Sequence, residues 1–140
     1  MRMVLDSNVA VKWELTEADS QKAIKLRDDA RAGLHDLLSP DVLPVEVGHA
    51  ITRAERQGRV SKADGFKLWL GIMADCPPLH SHLPLMPRAY AISSATSQGI
   101  YDCLYIALAE HEGCELVTAD SKLVKNLKSQ FPFIVELSTL

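Results

Sequence analysis

With 140 residues, 47% of them hydrophobic and 24% charged, the chain has the size and balance of a single globular domain spanning 1–140, and disordered or collagen-like classes are excluded. A net charge of −3 lacks the basic excess that drives phosphate binding. The total decides little, because four of the eighteen acids gathered round a cation would leave fourteen facing fifteen lysines and arginines.

In chain order, the apolar Met3, Val4 and Leu5 before Asp6, Ser7 and Asn8 predict a short buried strand ending near Asp6, then a helix start, since Asp, Ser and Asn side chains cap free backbone N–H groups. From Asp19 to Leu34, Ala23, Leu26 or Arg27, and Ala30 recur at helical spacing, with Gly33 as the terminator. HDLLSPDV offers a second short strand, stopped by Pro40. Residues 41–58 carry Leu43, Val47, Ala50, Ile51 and Ala54 on one helical face. SKADGFKLWLGIMADC predicts a partner helix capped by Ser61, and CPPLHSHLPLMP a loop with one short strand. A helix after Pro87 follows, then a buried helix in YDCLYIALAEHEG, the strand ELVT, the helix SKLVKNLKSQ and a last strand FIVEL. Strands alternating with helices imply a three-layer α/β domain, its short, mainly parallel sheet flanked by helices. No signal-type apolar core opens the chain and no run of about eighteen apolar residues occurs, so a cytoplasmic protein without a membrane span is expected. Cys76, Cys103 and Cys114 are odd in number and far apart, which predicts free, mostly buried thiols.

Ligand crevices of open parallel sheets lie beyond the carboxyl ends of the strands. Asp6 follows the first strand there, Asp120 follows ELVTA, Asp102 opens the buried helix after Gly99, and Glu46 lies early in the helix after LLSP. An Asp at a helix start is commonly a cap, worth about 1 kcal/mol, so Asp6, Asp102 and Asp120 taken singly have that explanation too. Glu46 sits in the apolar LPVEVGHAI, where a carboxylate needs a partner. Four acids at about 5 Å would repel by about 3 kcal/mol per pair at an effective dielectric near 20, so they would bind protons or a cation. All-oxygen ligation selects Mg2+ or Mn2+ over zinc and suits phosphodiester hydrolysis. Arg53, two turns after Glu46, and Lys122, Lys125 and Lys128 after Asp120 are candidate phosphate contacts, with solvated helix faces as the plain alternative. His49, His80 and His82 read as helix-surface and loop residues, and Trp13, Trp69 and Tyr105 as core. Neither GxGxxG, a P-loop nor GxSxG occurs.

With these acids in place, the sequence resembles the PIN-domain ribonucleases, most closely the VapC-type toxins of toxin–antitoxin pairs. The resemblance is carried by VLDSNVAVKWEL, PDVLPVEVGHAI, YDCLYIALAEHEGCELVTAD and SKLVKNL, in the family's order across nearly the whole chain. It implies that Asp6, Glu46, Asp102 and Asp120 form a metal site, with Asn8 supporting the first Asp and Thr118 matching the hydroxyl residue near the last. It further implies a Mg2+-dependent endoribonuclease that cuts single-stranded or loop RNA, a homodimer, and inhibition by a small VapB-type antitoxin, through which alone DNA would be contacted. Cys103 stands where Ala is common and Leu123 where some members have an aromatic; neither removes a ligand. Two other readings stay open from the residues themselves. One is a phosphoaspartate protein of receiver or dehalogenase type, although Asp28-Asp29 lies mid-helix and DxD is broken by Asn8. The other is a non-catalytic PIN-like module that binds a partner.

Overall fold

The computed structural model describes residues 1–140. Its first strand, β1 (Arg2–Leu5), buries Met3, Val4 and Leu5 in succession. Such a run without alternation is what a parallel strand covered on both faces requires. The short helix α1 (Ser7–Val11) follows directly, and α2 (Ser20–Arg31) turns Ala23 and Leu26 to the core. Next come β2 (Asp36–Pro40), then the paired helices α3 (Leu43–Arg56) and α4 (Lys62–Met73). Leu43, Val47, Ile51 and Ala54 form the buried stripe of α3. Ser61 caps α4 by accepting from the Asp64 N–H, and stacked Phe66 and Trp69 lie along its length.

The proline-bearing loop holds a two-residue strand, β3 (Leu79–His80), and a 3-10 turn at Leu83–Leu85 that leads into α5 (Met86–Thr96). Helix α6 (Ile100–Glu112) buries every residue from Cys103 to Ala109 and touches β1, β2 and β4. It stops at Gly113, whose φ of +63° is the left-handed conformation that a helix end demands and glycine supplies without steric cost. The chain closes with β4 (Glu115–Thr118), α7 (Ser121–Leu127), β5 (Ile134–Glu136) and a terminal 3-10 turn.

All five strands are parallel, in the order β3-β2-β1-β4-β5. Val4 lies between Leu38 and Leu116, and Val117 pairs with Val135. Val4, Leu38, Leu116 and Val117 are buried, and each contributes about 1.5–3 kcal/mol. The predicted sheet was mainly parallel; it is wholly so, because every connection contains a helix and none is a hairpin. Strand order reverses between β1 and β4, and a crevice opens at such a switch point beyond the carboxyl ends of the strands. Asp6 and Thr118 sit there, with the Asp6 N–H donating to the Val117 carbonyl at 3.0 Å. A receiver domain has the order 2-1-3-4-5, which this sheet does not share.

The thiols depart from expectation in one respect. Cys103 is buried, but Cys76 and Cys114, at element ends, are only half-buried, and all three are free. No helix is long and apolar enough to cross a membrane.

Candidate functional site

Asp6 occupies the position before α1 where a cap belongs, yet its side chain caps nothing. The carboxylate turns instead toward β4, where Thr118 Oγ1 donates to Oδ2 at 2.8 Å and Asn8 Nδ2 approaches the same oxygen at 3.4 Å. Asn8 also donates to Thr118 Oγ1 at 3.2 Å and accepts from the Ala119 N–H at 2.9 Å, while Thr118 Oγ1 accepts from the Asp120 N–H at 3.1 Å. Asn8 and Thr118 thereby lock the ends of β1 and β4 together around Asp6. The residue is 3% exposed, and burial first, then the charges of Asp102 and Glu46, push its carboxyl up to about 7. The Thr118 hydroxyl acts the other way.

Glu46 lies in the first turn of α3, half-buried, and desolvation raises its pKa, with Asp102 adding to the rise. The Tyr105 and Ser7 hydroxyls oppose that shift. Neither makes a well-formed hydrogen bond with it, since Glu46 Oε1 and the buried Tyr105 hydroxyl both lack a partner. Asp102 lies in the first turn of α6, where Gln98 Nε2 donates to its Oδ2 at 2.8 Å. Its pKa is raised by burial and by Asp120. Asp120 caps α7, its Oδ1 accepting from the N–H groups of Lys122 and Leu123 at 3.0 and 3.1 Å, and its Oδ2 makes no hydrogen bond.

The four acids are therefore coupled in a chain, Asp6 to Glu46 and Asp102, and Asp102 to Asp120. No lysine, arginine or histidine forms an ion pair with any of them. No three acid, histidine or cysteine side chains are drawn together as a ready-made metal cage. The orphaned Glu46 oxygen, the buried Asp6 and an all-oxygen donor set fit a hard divalent cation.

A cavity of about 770 Å³ runs between α1 and α3. Ser7, Asn8, Glu46, Tyr101 and Ala119 line its acid end, Glu46 being the only one of the four acids that faces it. Arg53 lines it further along, as does the exposed His49. Lys122 is exposed on α7 and does not line the cavity. Sequence reasoning missed Ser7, Gln98 and the polar end of Tyr105. Gln98 precedes α6 by two positions and carried no periodic signal, and Tyr105 reads as core because its ring is core.

The PIN domain family model matches residues 3–127. The chain belongs to the PIN domain family. It is 27% identical over 137 residues to ribonuclease VapC3 of Pyrobaculum aerophilum, covering 96% of this chain and 98% of that one. Its fold is similar to the crystal structure of PAE2754 from the same organism, with a TM-score of 0.70, 23% identity, and 99% and 94% of the two chains covered. It is also similar to a chain of VapBC2 from Rickettsia felis, solved bound to a DNA fragment from their promoter, with a TM-score of 0.64, 15% identity and 97% of each chain covered.

Proposed function

We propose that the protein is a Mg2+-dependent endoribonuclease toxin, with Mn2+ as a possible substitute, that hydrolyses phosphodiester bonds in single-stranded or loop RNA. One observation carries the reading: Asp6 is buried at the switch point beside Glu46 and Asp102, and no basic group compensates it. Asp6 and Asp102 would be the principal ligands of a divalent cation, with Glu46 and Asp120 completing the site. Bound there, the cation would supply positive charge to the phosphate and a means of activating water near neutral pH.

The chain's own residues then have distinct tasks. Thr118 and Asn8 hold Asp6 by donating to Oδ2, which fixes the carboxylate without neutralising it. Gln98 does the same for Asp102. The capping bonds to Asp120 Oδ1 orient that carboxylate and leave Oδ2 for the site. Tyr105 brings its buried hydroxyl toward Glu46, where it opposes the rise in that carboxyl's pKa. The reading extends to a cytoplasmic toxin that forms a homodimer and is inhibited by a VapB-type antitoxin; the similarity to ribonuclease VapC3 and to a chain of VapBC2 supports the toxin–antitoxin part of it. DNA would be reached only through that antitoxin.

Cleavage of a mixed single-stranded RNA pool by the antitoxin-free protein, in Mg2+ and in EDTA, tests this beside Asp102→Asn. Cutting by wild type in Mg2+ alone is expected. A folded Asp102→Asn protein that cut at the wild-type rate would sink the assignment.

A further inference from the structure

The cavity that begins at the acids ends among cations, and those cations are arranged unusually. Its two long walls come from α1, with Lys12 just beyond, and from α3, where Glu46 and Arg53 lie along one face with Gln57 just past the helix end. The rise from Glu46 to Arg53 is about 10 Å, seven residues of helix. Arg53 has no ion pair or side-chain hydrogen bond anywhere in the molecule, although it faces the cavity. Beside it, Lys12 Nζ and Arg59 Nη1 converge on a single carboxylate, Glu17, at 3.5 and 3.2 Å. Arg59 Nε also donates to Gln57 Oε1 at 3.0 Å, which orients its guanidinium toward the groove. The Lys12 side chain is 12% exposed, and Glu17 is the one acid within reach of it.

A half-buried lysine and a surface arginine sharing one carboxylate, with a third cation free alongside, match the recognition of a phosphate by several donors. We propose that Lys12, Arg53 and Arg59 form a phosphate-binding subsite for the RNA backbone, a few nucleotides from the scissile bond, whose place Glu17 holds in the free protein. Entering RNA exchanges one carboxylate partner for a phosphodiester without leaving Lys12 uncompensated. Glu17 thus sets a threshold, since a strand must displace it to bind, and it discriminates against ligands too short to reach from the acids to the far cations. The inference rests on the proposed RNA-cleaving function for its choice of polyanion.

Binding can be read separately from cleavage. The Asp102→Asn protein, titrated with a fluorescent ten-nucleotide oligouridylate at several salt concentrations, serves as the reference. Adding Lys12→Gln, Arg53→Gln or Arg59→Gln should weaken binding severalfold and lower the log–log salt slope by about 0.7 for each lost contact on a single strand. Adding Glu17→Gln should tighten binding, Arg59→Lys should retain most of it, and Lys25→Gln on α2 should change nothing. Thermal denaturation of each variant controls for folding. Folded cation variants with the reference affinity and slope, or weaker binding by Glu17→Gln, would overturn the subsite. If wild type fails to cut RNA while binding follows the three cations, the cleavage reading falls and the subsite stands; cutting with binding indifferent to them has the opposite meaning.

Discussion

Asp6 shows how one side chain is committed by what surrounds it. It has the sequence position of a cap and the structural position of a buried acid, held by Thr118 and Asn8 across the gap between two strands. Thr118→Val would remove a donor to Asp6 and leave the Asn8 amide and the Asp120 N–H without their shared acceptor. Each unmet polar group costs about 1–3 kcal/mol. Chemical denaturation should show a loss of that order. Because the Thr118 hydroxyl lowers the Asp6 pKa, the same variant should also raise the pH needed for activity. An unchanged pH profile would mean that Thr118 supports the strand ends alone.

Among the elements, α7 carries the question of whether a cap is also a site. Asp120 accepts two backbone N–H bonds with Oδ1, and Asn can do the same without charge. Asp120→Asn should therefore keep stability within a few tenths of a kcal/mol while lowering Mg2+-dependent cleavage at least tenfold. Asp120→Ala should lose the activity and about 1 kcal/mol of stability as well. Full activity in the folded Asn variant would leave Asp120 as a cap only. Asp102 presents no such ambiguity, since the position before α6 belongs to Gly99, and Asp102 makes its contact with Gln98 instead.

For the whole molecule, the acids link stability to pH and to cations. The Asp6 carboxyl is raised from the ordinary aspartate range to about 7, and those of Glu46 and Asp102 are raised too. Between about pH 4 and pH 7 the folded protein holds protons that the unfolded chain has released, so stability falls as pH rises across that window. The metal-free protein should melt at a lower temperature at pH 8 than at pH 5. A cation that replaces those protons stabilises the folded state by mass action, so Mg2+ should raise the melting temperature more at pH 8 than at pH 5. Equal shifts at the two values would count against a cation held by these carboxylates.

Much of this was legible in one dimension. The run Met3-Val4-Leu5, the stripe Leu43, Val47, Ile51 and Ala54, and the apolar middle of α6 fixed which segments are strands and helices, because burial on one or both faces leaves a period in the chain. Places at predicted strand ends and helix starts singled out all four acids, and the family resemblance implied their joint role. Length and turn residues were less informative at the short elements: α7 ends at Leu127 rather than running to Gln130, and the 3-10 turn before α5 carried no periodic signal. What the tertiary structure alone decided was partnership. Asp6 turns from its own helix to Thr118 on β4, 112 residues away, and Gln98 and Tyr105 join the acids because α6 is packed across β1, β2 and β4. Glu17 is brought to Arg59, 42 residues away, in the same way, whereas its contact with Lys12, five positions before it, is local. Periodicity records which face of an element avoids water, and that is a local property. Which polar group meets which is set by strand order and helix packing, which join residues far apart in the chain.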